Sequence, residues 1–89
     1  MEIEYDSAKD AINRAKHGLP LERAKDMDLS TALQFADKRR DYGENRNIAI
    51  GPIDGRLHVL AYTMRGATLR AISLRKAKDR ERSRYDPSA

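Results

Sequence analysis

The chain has 89 residues, no cysteine, and 23 apolar side chains larger than alanine. This fills one small domain, 1–89, with a thin core, and excludes disulfides, thiolate metal sites and a cysteine nucleophile. Charged residues make up 36% of it, and the net charge of +4 is uneven: −3 over residues 1–37, +2 over 38–64 and +5 over 65–89.

The first element is a short strand, since Ile3 and Tyr5 alternate with Glu2, Glu4 and Asp6. Asp6 or Ser7 then supplies an N-cap for a helix whose apolar positions are Ala8, Ala11, Ile12 and Ala15. Gly18 stops this helix, and Pro20 sits in the first turn of a second, with Leu21, Ala24 and Met27 as its stripe. Thr31, Leu33 and Phe35 alternate within 29–36, which reads as a strand, and the polar run 37–45 reads as a loop. Three strands follow. Ile48 and Ile50 begin the first, and Pro52 implies an edge or a bulge near its end. Asp54-Gly55 signals a hairpin into Leu57–Tyr62, and Arg65-Gly66 turns into Leu69–Leu74. Residues 76–85 are helical in composition, with Pro87 as terminator. The order predicts an α+β fold: a short N-terminal strand, two helices, an antiparallel meander sheet and a C-terminal basic helix. The helices are expected on one sheet face, leaving the other free. No apolar run is long enough to span a membrane and Met1-Glu2-Ile3-Glu4 is no signal peptide, so the expected address is cytoplasmic.

Four groups of residues could carry chemistry. Lys16-His17-Gly18 closes the first helix, where a cationic pair also serves as an ordinary cap. Gly43-Glu44-Asn45-Arg46 leads into the meander, where Glu and Arg also make ordinary surface pairs. In the last strand, strict alternation puts Arg70 on one face with Ile72 and Leu74, and Arg75 on the other with Leu69, Ala71 and Ser73. An arginine inside an apolar strand is either ion-paired or set for an anionic ligand. Lys78, Arg80, Arg82 and Arg84 spread around the final helix and suit a phosphate-attracting surface. His17 and His58 lack metal-ligand spacing, and there is no glycine-rich phosphate loop. The chemistry points to no metal and no cofactor.

Taken in order, Asp6 to Asn13 (D-x-x-K-x-x-x-N), Lys16-His17-Gly18, Gly43-Glu44-x-Arg46, Ile50-Gly51, Arg70-x-Ile72-Ser73-x-Arg75-Lys76-Ala77 and Glu81-Arg82-x-x-Tyr85 resemble the BrnT family. These are toxins of type II toxin–antitoxin systems with a fold similar to the RelE ribonucleases. Ser7 stands where a proline is frequent, and Leu19-Pro20-Leu21 replaces a more usual valine–serine–phenylalanine; neither touches the candidate chemistry. The resemblance implies an endoribonuclease neutralised by a cognate ribbon-helix-helix antitoxin, which meets operator DNA only through that complex. RNA supplies its own nucleophile, the 2′-OH, so metal-independent cleavage needs a base, an acid and cations on the phosphate. On this reading Arg46, Arg70 and Arg75 bind and stabilise the phosphate, Glu44 and His17 transfer protons, and Lys16 is an alternative acid. Lys76, Lys78, Arg80 and Arg82 hold RNA, and Tyr85 positions a phosphate or stacks on a base. The rival readings are a non-catalytic RNA- or DNA-binding module, which would not depend on Glu44 or His17, and a small protein–protein adaptor with an acidic partner.

Overall fold

In a computed structural model that describes residues 1–86, the chain runs β1 (Glu2–Glu4), α1 (Ser7–His17), a 3₁₀ helix (Leu21–Asp26), β2 (Leu33–Ala36), β3 (Asn47–Ile53), β4 (Arg56–Arg65), β5 (Thr68–Lys76) and α2 (Asp79–Tyr85). Asp6 caps α1, its Oδ1 accepting from the N–H groups of Ala8 at 2.8 Å and Lys9 at 3.1 Å. Gly18 ends α1 in the left-handed region at φ 70°, which glycine adopts without a Cβ penalty.

Three boundaries differ from expectation. The second helix is 3₁₀ rather than α: Pro20 stands outside it in extended backbone, and the short span closes with i→i+3 bonds such as Arg23 N–H to Pro20 O, 3.1 Å. The predicted strand 29–36 shrinks to Leu33–Ala36, because the Asp28 carboxylate accepts from the Ser30 N–H (3.1 Å) and hydroxyl (2.5 Å) and folds this stretch into a turn. Residues 76–78 are not helical. Lys76 completes β5 opposite His58, and Ala77 N–H donates to Leu57 O at 3.0 Å. Pro87 lies outside the described residues.

The sheet order is β1-β5-β4-β3-β2. β2 to β5 pair antiparallel as a meander, but the sheet is mixed, not wholly antiparallel, because β1 lies parallel to β5 with Ile3 opposite Leu69. That register lets Ile3 pack against the core. Asp54 and Gly55 both take positive φ at the β3–β4 hairpin, as a type I′ turn requires. Pro52 lies past Ile50, where β2 stops pairing with β3, so its missing N–H falls on a local edge.

Apolar residues cover both faces of the sheet. On the first, Leu21 and Ala24 of the 3₁₀ helix and Met27 just after it pack against Ala49, Ile53, Leu60, Tyr62, Leu69, Ala71 and Leu74. On the second, Ile48, Ile50, Val59 and Ala61 gather Leu33, Phe35, Ile72, Ala77 and Tyr85. The expectation that every helix sits on one face is therefore corrected: α2 lies on the second face, anchored by Tyr85.

The orientation of α1 also reverses the expectation. Ala8, Ala11, Ile12 and Ala15 face solvent, with Ile12 64% exposed. The helix docks instead by polar groups. The Asn13 amide donates to Leu19 O and Leu74 O, both at 2.8 Å, and accepts from Leu74 N–H at 3.0 Å. β1 pairs with β5 only as far as Arg70, so Asn13 supplies the hydrogen bonds that a neighbouring strand would give Leu74. Asp10 accepts from Leu21 N–H at 2.8 Å and so caps the 3₁₀ helix. These bonds fix the C-terminal end of α1 beside β5.

Candidate functional site

A register shift in the β4–β5 ladder near Ala61/Tyr62 decides where the arginines point. Ala61 pairs with Ser73 but Tyr62 pairs with Ala71, so β5 carries one extra residue there. Cross-strand partners share a face. Leu74, opposite Leu60, therefore joins Ala71 and Leu69 on the first face, while Arg75, opposite Val59, falls on the second. Strict alternation had placed Arg70 and Arg75 on opposite faces. The bulge puts both on the second.

There the sheet forms the floor of a cleft of about 1100 Å³. Ile48, Ile50, Val59 and Ala61 make its base. Lys16 and His17 enter from the end of α1, Ser73, Arg75 and Lys76 from β5, and Lys38 and Arg39 from the loop after β2. Lys78, Arg80, Glu81, Ser83 and Arg84 enter from α2 and the segment before it. Eight Lys and Arg side chains thus line the cleft against two carboxylates, Asp37 and Glu81.

Both carboxylates are already engaged. Glu81 receives two hydrogen bonds from Arg75, at 2.7 and 2.5 Å, and one from the Lys78 N–H at 2.8 Å. The Arg75 pairing, supported by that N–H, holds the Glu81 carboxyl down to about 2. Asp37 receives Arg39 Nε and Nη2, both at 2.8 Å, and the Tyr42 hydroxyl at 3.0 Å. These donors hold it far below the usual carboxylate range. At neutral pH both are fixed anions that orient arginines. His17 is different: partial burial pushes its pKa below the ordinary 6.5, and the charges of Lys16, Arg75 and Lys78 push it the same way. It enters the cleft as a neutral imidazole in a cationic setting.

The residues singled out from the sequence divide three ways. Lys16, His17, Arg75, Lys76, Lys78 and Arg80 line the cleft. Glu44 and Arg46 lie in an adjoining depression of about 730 Å³ that shares Ala36, Asp37 and Lys38 with it, and they contact one another at 3.4 Å. Arg70, Arg82 and Tyr85 line neither: Arg70 stands 3.6 Å from Glu4, and Tyr85 packs on the second-face cluster. Lys38 and Arg39 are cleft residues that sequence reasoning passed over, and Arg84, named from the sequence only as part of the basic helix, lines the cleft as well. Arg84 stacks on Phe35, its guanidinium carbon 3.9 Å from the ring centroid. A signal for Arg39 was present in Asp37-x-Arg39, a carboxylate two residues from a guanidinium at a strand end.

The family model described as "Ribonuclease toxin, BrnT, of type II toxin-antitoxin system" matches residues 5–81. Among solved structures, the chain is similar to the crystal structure of the Brucella abortus ribonuclease toxin, BrnT, with a TM-score of 0.71 and 29% identity over 89% of this chain and 99% of that one. No curated protein matches it. With a family model spanning most of its length, the chain belongs to the BrnT family of ribonuclease toxins of type II toxin–antitoxin systems.

Proposed function

We propose that this protein is a cytoplasmic, RelE-like endoribonuclease that cleaves RNA in the second-face cleft without metal, and that a ribbon-helix-helix antitoxin neutralises it. The observation that carries the reading is the meeting of His17 with Arg75 in a cleft lined by cations. His17, as the neutral imidazole, takes the proton from the 2′-OH. The 2′ oxygen then bonds to phosphorus as the bond to the 5′ oxygen breaks. Arg75 and the lysines beside it stabilise the added charge on the phosphoryl oxygens, a contribution that is largest where donors are preorganised. The departing 5′ oxygen takes a proton from Lys16 or from water, leaving a 2′,3′-cyclic phosphate and a 5′-OH. Lys76, Lys78 and Arg80 bind the flanking phosphates. Arg82 and Arg46 extend the basic track, and Arg70 holds the β1 edge through Glu4. Among the described residues no three His, Asp or Glu side chains gather as a metal-binding group.

The test is cleavage of an RNA oligonucleotide by the purified protein with and without EDTA, with the product ends identified. Equal rates and a cyclic phosphate end are expected. Loss of activity in EDTA, restored by magnesium, would overturn the metal-free mechanism.

A further inference from the structure

The depression beside the cleft holds a second set of unused polar groups. Glu44 uses only Oε2, which accepts from Arg46 Nε at 3.4 Å, and Oε1 receives no hydrogen bond among the described residues. Arg46 itself lies over an aromatic ring, its guanidinium carbon 4.1 Å from the Tyr42 centroid. Tyr42 is fixed in turn through its hydroxyl to Asp37, at 3.0 Å. Asn45 is pinned by the Thr63 hydroxyl donating to its carbonyl at 2.7 Å. The volume of about 730 Å³ falls within the roughly 300–1,000 Å³ usual for ligand clefts. The depression also adjoins the cleft, the two sharing Ala36, Asp37 and Lys38.

We infer that this depression is a base-reading subsite and that Glu44 selects guanine next to the scissile phosphate. The inference rests on the cleft being the cleavage site. A single-stranded base lies against a guanidinium plane as readily as against an aromatic ring, and the Arg46–Tyr42 stack provides such a plane. A carboxylate with free acceptor positions selects a base edge bearing adjacent N–H donors. Guanine presents N1–H and the 2-amino group side by side; adenine and cytosine each offer one amino group, and uracil one ring N–H. Arg46 holds the Glu44 carboxylate from one oxygen without saturating it. Glu44 thus reads a base rather than moving a proton.

The experiment uses the full chain and a set of RNA oligonucleotides that differ only at the nucleotide flanking the cleaved bond, including inosine, which lacks the 2-amino group. Wild-type protein should cleave next to guanine at least roughly tenfold faster than next to adenine, the discrimination typical of one good two-point base contact. Inosine should fall between them. In Glu44→Gln the guanine-to-adenine ratio should collapse toward one, because the amide replaces one acceptor with a donor. Glu44 lies exposed in the loop before β3, so the variant keeps the fold. Wild-type cleavage with no guanine preference, or a Glu44→Gln variant slowed equally on every substrate, overturns the subsite. The second result would make Glu44 a proton-transfer residue. Absence of RNA cleavage by the wild type would overturn the nuclease reading and this inference with it.

Discussion

His17 is the cleft side chain whose charge changes within the physiological pH range, and that makes it the sharpest single-residue probe. Its pKa is lowered by burial and by Lys16, Arg75 and Lys78. Acting as a base it must be neutral, so activity is lost as pH falls through that lowered value. The acid limb of the kcat/KM profile should therefore lie below 6.5, the ordinary histidine value. Bound phosphate adds negative charge and raises the pKa again, so the limb in kcat should lie at higher pH than the limb in kcat/KM. His17→Ala should keep most RNA affinity and lose about 10²-fold or more in single-turnover rate. If His17 only caps α1, the variant loses stability and turns over normally. Arg75→Ala should lower the rate as well but, unlike His17→Ala, should also weaken binding and reduce the slope of log K against log salt by about 0.7. A salt slope equal to that of the wild type would take Arg75 off the phosphate.

Two elements set this geometry, and each offers its own test. α1 reaches the cleft because Asn13 holds it against Leu74. Asn13→Ala leaves a buried N–H and C=O without partners and should cost about 1–3 kcal/mol, read as a lower denaturation midpoint. An unchanged midpoint would mean that water replaces the amide. α2 is held by Glu81 on Arg75, the guanidinium also assigned to the phosphate. The Glu81 pKa is depressed on folding, so its stabilisation is complete above the ordinary 4.5 and disappears as pH falls through about 2. Glu81→Gln should remove that acid-sensitive component and, by releasing Arg75, tighten RNA binding. Weaker binding would show that Glu81 positions Arg75 rather than competing for it. The pattern of residues showed the meander strands, the hairpin at Asp54-Gly55 and a cap at Asp6 or Ser7, because each depends on local geometry. It misplaced the face of α1, because Ala8, Ala11, Ile12 and Ala15 look like a core stripe while the binding energy lies in Asn13 and Asp10. It also misassigned the faces of β5, because a single extra residue reverses the alternation and leaves no mark in composition.

Across the whole molecule, charge is sorted by position in the chain and collected by the fold. The basic last third supplies β5 and α2, and Lys16, Lys38 and Arg39 join it from elsewhere to line one cleft. The candidate site was legible in part. Lys16, His17 and Arg75 stood out as separate short motifs, whereas Glu44 was grouped with them although the loop 37–46 carries it into the neighbouring depression. A cationic cleft with an apolar floor suits an antitoxin segment that brings acidic and apolar side chains together. Toxin–antitoxin affinity should fall with salt, and reversing the charge of Arg75 and Arg80 should weaken it. Untouched affinity would place the antitoxin on another surface.

The central claim is that the RNA's own 2′-OH is the nucleophile in this cleft. The most direct measurement is the single-turnover rate on an RNA oligonucleotide and on its twin carrying one 2′-deoxynucleotide at the cleaved position. Cleavage at that bond should disappear in the twin while binding is retained. Cleavage of both at the same rate would contradict the account, because water or another nucleophile would then be attacking the phosphate.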